Sequence, residues 1–99
     1  MEDIGLSLRD KLNLETAPVS WHELALFFAR GQIIEVSSEL DLIEAATALT
    51  EDNTTLFSCW IESSRIQHLP DETARAWAQD DSGLWAIVVA PWVLVQDRR

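Results

Sequence analysis

The chain has 99 residues, 47% of them hydrophobic, and its seven basic and seventeen acidic side chains leave a formal net charge of −10. A chain of this size supports one core that buries roughly 60 to 65% of the unfolded surface, and with five Trp, three Phe and many Leu, Ile and Val it needs neither a disulfide nor a structural metal. The charge repels polyanions at a distance, and the absence of repeats, low-complexity tracts or a Pro/Gly/Ser-rich linker makes residues 1–99 a single domain.

Met1, Glu2 and Asp3 open the chain without a basic stretch leading into an apolar one, so no export leader is expected. Ser7-Leu8-Arg9-Asp10 has the form of a capping box, predicting a short peripheral helix that runs to about Thr16 before Ala17-Pro18 stops it. Ser20-Trp21-His22-Glu23 is a second box. The stripe Trp21, Leu24, Ala25 and Phe28 then predicts a helix, with Gly31 placed to terminate it. Ile33 to Val36 reads as a short strand, and Ser38 opens a boxed helix with Leu42, Ala45, Ala46 and Leu49 on one face, ending near Asp52. Asp52 or Asn53 caps the next helix, whose stripe is Leu56, Phe57, Trp60 and Ile61. Its Cys59 is the one cysteine, which excludes an intrachain disulfide and fits a cytoplasmic location.

Ile66 to Leu69 reads as a strand, Pro70-Asp71 starts a helix carrying Ala74, Trp77 and Ala78, and Asp80 to Gly83 forms a turn. Leu84 to Ala90 is apolar throughout, as in a strand buried on both faces. Pro91 interrupts it, so the strand should bend, bulge or lie at an edge before Trp92 to Val95 continues as extended chain. Even the whole run from Leu84 to Val95 is shorter than the ~20 residues of a membrane-crossing helix. The element order predicts an α+β, winged-helix-like domain of four to five short helices with a two- to three-stranded antiparallel sheet. Function does not follow from that likeness.

Several stretches carry a family resemblance: Leu8 to Leu12, Trp21 to Leu24, Ile33 to Val36, Glu39 to Leu42, Thr50 to Asn53, Trp60 to Glu62 and Ala90 to Gln96. On these the chain, from about residue 8 to 96, resembles the bacterial family known as Domain of Unknown Function 2288. The resemblance implies a bacterial origin. It carries no catalytic residues, ligand or partner onto this sequence.

His22 and His68 are the side chains whose unperturbed titration lies near neutrality, so a small enzyme or ligand-binding protein would use one of them with nearby carboxylates. The bland reading is that His22 sits on the polar side of its helix and His68 faces outward on a strand. Cys59, between Ser58 and Trp60, reads as core filler, and two histidines with one cysteine and no C-x-x-C or H-E-x-x-H spacing make a poor zinc site. Carboxylates such as Glu35, Glu39, Asp41 and Glu44 leave an oxygen site for Mg²⁺ or Ca²⁺ open, although they more often form a solvated face. The phosphate-cradling and nucleophile-elbow glycine motifs are absent, so no cofactor is expected.

Residues 31–64 contain no Lys or Arg and seven acidic residues, an anionic block that includes the helix a winged-helix protein would lay in DNA. No nucleic-acid partner is therefore expected, which ranks a transcription-related regulator below the other readings. Five tryptophans are too many for so small a core to enclose alongside the terminal strand. The expected function is a non-enzymatic protein-interaction or adaptor domain, whose candidate surface is Trp77, Trp85, Trp92, Val93 and Val95. A one-sided sheet would leave one face of the terminal strand bare, so a homodimer through Leu84 to Val95 is expected as well. The competing arrangement folds the N-terminal helix, with Leu8 and Leu12, over that face.

Overall fold

The computed structural model describes residues 7–99. Met1, Glu2 and Asp3, on which the expectation of no leader rests, lie outside the described residues. Helices form where caps and apolar stripes coincide. Helix α1 (Leu8–Glu15) starts at Ser7, whose Oγ accepts from the Asp10 N–H at 3.1 Å. Strand β1 (Ala17–Pro18) follows directly, and α2 (Trp21–Ala29) opens on a full capping box between Ser20 and Glu23. Gly31, at φ +69°, takes the left-handed position that ends α2.

After β2 (Ile33–Val36), α3 (Leu42–Thr50) begins three residues later than the Ser38 box predicts. Asp41 is the cap, its Oδ1 accepting from the Ile43 N–H at 3.0 Å. Helix α4 (Thr54–Glu62) is capped by Asn53, β3 spans Ile66–His68, and α5 (Asp71–Gln79) starts after Pro70. Strands β4 (Leu84–Val89) and β5 (Trp92–Asp97) are joined through a cis Ala90–Pro91 peptide. Pro91 therefore does not merely bend one strand. The chain reverses there, and the two halves pair antiparallel from Leu84 with Asp97 to Val89 with Trp92.

The sheet has five strands in the order β1-β4-β5-β2-β3. All neighbours are antiparallel except β2 and β5, which run parallel with Ile34 opposite Leu94. The α+β class stands. The sheet is larger than the expected two or three strands, and it is mixed rather than wholly antiparallel. Its extra members are β1, a two-residue strand containing a proline, and β5, which the reversal at Pro91 makes a separate strand rather than a continuation of β4.

Both faces of the sheet are covered within one chain. Leu94 and Ile87 point into a core made with Leu12, Leu42, Ala45, Ala46 and Trp60, under α1, α3 and α4. Val93, Val95, Leu84 and Ala86 point the other way, into a second core with Leu24, Ala74 and Trp77 under α2 and α5. Alternation along β5 sends successive side chains into different cores, which is why its sequence reads as a continuous apolar run. Helix α1 is less peripheral than its stripe suggests, because Leu12 is buried and Leu8 packs on the same core as Trp85, Val89 and Trp92. The premise that β5 needs a second chain to cover one face does not hold.

Candidate functional site

Helix α4 is fixed to the sheet by Trp60, which is buried in the first core and meets Phe57 edge to face at 5.8 Å. One turn on, Ser64 adopts φ +62° and reverses the chain, so that the Arg65 N–H donates back to the Trp60 carbonyl at 2.8 Å. β3 then runs out beside the helix that produced it. Between them lies a groove of about 200 Å³ lined by Ile34, Phe57, Ile61, Ile66, Gln67 and His68. Ile61 is 57% exposed on its rim. His68 extends the apolar strip toward the half-buried Trp92, their rings meeting at 5.8 Å. At the far side of β3, Gln67 Nε2 donates to Glu35 Oε1 at 2.9 Å.

β3 is an edge strand, paired on one side with β2 alone. The Arg65 carbonyl accepts from Ser37 N–H at 2.8 Å, and Leu69 N–H donates to the Ile33 carbonyl at 3.2 Å. Odd-numbered residues of this segment thus face β2. By the alternation of an antiparallel ladder, Ile66 and His68 turn their backbone N–H and C=O groups away from β2; Ile66 is buried there and His68 is exposed.

A second concavity is polar and sits at the carboxyl ends of the parallel pair. It comprises two adjoining hollows of about 420 and 410 Å³ that share Ser38, Asp97 and Arg99. Three of its charges form one paired group. Arg99 pairs with Asp80 at 3.0 Å and Asp97 at 2.9 Å, and the hydrogen bond from Arg99 is the main reason the Asp97 carboxyl sits below its usual range. The Asp80 carboxyl is lowered chiefly by Ser82, whose hydroxyl and N–H both donate to it. The buried Gln96 donates from Nε2 to the Ser37 and Leu40 carbonyls at 2.8 and 2.6 Å, and its Oε1 accepts from Arg98 Nε at 3.0 Å. Arg98 in turn lies 4.9 Å from the centre of the Trp85 ring. This end of the molecule is a tied seam.

The candidate surface drawn from the sequence divides in two. Trp77, Val93 and Val95 are buried in the second core and cannot touch a partner, because the strand residues alternate into α2 and α5 and Trp77 is the inward anchor of α5. Trp85 and Trp92 remain partly exposed on the opposite face. Cys59, read as core filler, is exposed on α4. His22 is exposed on α2, and among the described residues neither His22 nor His68 is hydrogen-bonded or ion-paired to a carboxylate. Among the described residues no three His, Cys, Asp or Glu side chains converge on a point where a metal could sit. The groove residues Phe57, Ile61 and Ile66 were legible only as structural ones. Their signal was the width of the α4 stripe, since Leu56, Phe57, Trp60 and Ile61 cover more of the helix than one core needs.

A family model described as protein of unknown function, DUF2288, matches residues 7–97. The chain belongs to the DUF2288 family. It is similar to a solved structure, the NMR solution structure of PA1075 from Pseudomonas aeruginosa, with 41% identity and a TM-score of 0.82. That match covers 93% of this chain and 85% of the other. No curated protein matches. No helix among the described residues is long and apolar enough to cross a membrane.

Proposed function

We propose that this DUF2288 chain is a non-enzymatic protein-interaction module of the bacterial cytoplasm, and that it binds its partner through the groove between α4 and β3. The observation that carries the reading is Ile61, 57% exposed beside Phe57 at the mouth of an apolar hollow. The apolar strip continues through His68 to Trp92. Such a strip, rimmed by polar side chains, binds by desolvation. The pairing of Arg99 with Asp80 and Asp97 supports the same division of labour, with binding at the groove and cohesion at the seam.

Helix α4 carries no basic residue, which argues against nucleic acid as the partner. Self-association is a second reading, favoured by Val88, 59% exposed on the face of β4 away from Trp85. A photo-reactive phenylalanine placed at Ile61, and separately at the equally apolar Leu14 on α1, tests the main reading in cells. A discrete protein adduct from position 61 and none from position 14 is the expected result. Adducts that are absent, or the same from both positions, overturn it.

A further inference from the structure

We infer that helix α1 exchanges between two copies of the chain, each copy's α1 leaving its own core and packing on the other's, so that the protein forms a reciprocal homodimer at high concentration. Self-association at Val88 underlies this exchange, and the groove between α4 and β3 takes no part in it.

Three observations converge on a second copy as the partner. The first is how α1 is held. Helices α2, α4 and α5 each carry a tryptophan and α3 buries five side chains, whereas α1 buries Leu12 and adds the half-buried Leu8. On the surface Arg9 pairs with Asp41 at the start of α3, both exposed to water and so weakly bound. Because α1 lies against α3 and β4 and contributes no strand, its departure leaves the sheet paired.

The second is the hinge. Thr16 is the one residue between the end of α1 at Glu15 and the start of β1 at Ala17. Its N–H donates to the Asn13 carbonyl and its Oγ1 to the Leu12 carbonyl, bonds that belong to the helix end, and Pro18 restricts the backbone beyond. A connection this short leaves little freedom with which to fold α1 back on its own core, the condition under which an element passes to a neighbour. The seat in the second copy is chemically identical, with the same core for Leu12 and the same Asp41 for Arg9.

The third is what lies beside the hinge. Glu15 and Ala17, on either side of Thr16, both line an apolar hollow of about 230 Å³ whose walls include Pro18, Phe27 and Val88, and Val88 is 59% exposed. A two-fold axis near Thr16 lays the hollow of one copy against that of the other and covers Val88 in both. This contact is what the exchange adds, since those of Leu8 and Leu12 are the same within one chain or between two. It is small, so the dimer is weak. Glu15 and Glu23 line the hollow in each copy and repel across the axis, so added salt should strengthen the dimer.

Sedimentation equilibrium from about 10 µM to about 1 mM measures the dimer, with the mass expected to rise from that of one chain toward two. Isotope-labelled and unlabelled protein refolded together at the upper concentration, followed by isotope-filtered NOE spectra, shows whether Leu12 touches the core of its own chain or of the other. Inserting Gly-Ser-Gly between Thr16 and Ala17 frees α1 to fold back and should weaken the dimer at least about tenfold. Val88→Lys, at an exposed position, should weaken it by a similar factor.

Intermolecular contacts from Leu12, with a dimer weakened by the longer hinge, support the exchange. A dimer whose Leu12 contacts stay within one chain, or whose strength ignores the inserted residues, overturns the exchange and leaves self-association standing. A mass that stays at one chain up to about 1 mM, or a dimer that salt weakens or Val88→Lys leaves unchanged, overturns both the exchange and the contact at Val88. The crosslink at position 61 is indifferent to all of these results.

Discussion

At one edge of the sheet β1 lies against β4, with Val19 N–H donating to the Leu84 carbonyl at 3.0 Å, whereas at the other edge β3 has only a helix standing beside it. The first edge is closed by chemistry as well as by position. Val19 faces β4, so by alternation Pro18 faces outward, and proline puts no N–H where another chain could use it. On β3 the equivalent outward places are Ile66, which is buried, and His68, which is exposed and is neither a proline nor a lysine. One edge is blocked and the other is shaded. The two edges are protected by different means, proline on one side and burial on the other.

The comparison breaks most severely through Trp60. Trp60→Ala removes the ring that holds α4 against the sheet and should destabilise the protein by about 3 to 5 kcal/mol, measured by denaturant unfolding. The same change should disperse the groove, so the adduct from position 61 disappears with it. Pro18→Thr sharpens the contrast from the other side. It restores an outward donor on β1 and frees the backbone, lowering stability by about 0.4 to 1 kcal/mol. In sedimentation equilibrium its mass should rise with concentration above that of the parent protein. A mass that does not move would mean that proline is not what keeps that edge unpaired.

The smallest effect belongs to the end of the central strand, which neither edge touches. Asp97 has its pKa lowered below 3.8 in the folded protein, mainly by the hydrogen bond from Arg99, so its ionised form favours folding. That contribution is present above the unfolded pKa of about 3.9 and is lost as pH falls through the lowered folded value. Asp97→Asn should therefore be slightly less stable than the parent near neutrality. The gap should close below about pH 4 in thermal melts compared across pH.

Helices were legible because their signals are local. Ser7, Ser20 and Asn53 cap where their side chains predict, and Gly31 ends α2 with a positive φ. Ser38 misled because acceptors on either side of it take the nearby donors, Asp41 accepting from Ile43 N–H and Ser37 from Glu39 N–H. Strand pairing was not legible in the same way. Nothing near Ile33 or Val93 records that they will lie side by side, and Ala17-Pro18 looks like a helix stop whether or not β4 lies next to it. The candidate surface failed for a related reason. Composition told correctly that five tryptophans exceed what one small core encloses, yet a sheet covered on both faces has two cores, and Trp77 and Trp60 each found one. The exposed apolar residue that matters, Ile61, is indistinguishable in sequence from the buried ones beside it.

The strand at the centre of the sheet follows every other element in the chain. During synthesis α1 to β4 emerge before β5 exists, so β2 with β3 and β1 with β4 form two fragments of sheet that have no common neighbour. Each fragment lacks the side chains that Leu94 and Val95 later insert between the layers. The parallel pairing of β5 with β2 closes a loop of roughly sixty residues, the slow kind of contact. Arrival of the last strand should therefore convert two loosely held halves into one cooperative unit, and a ribosome-bound chain halted before Trp92 should remain open to proteases that the finished protein resists.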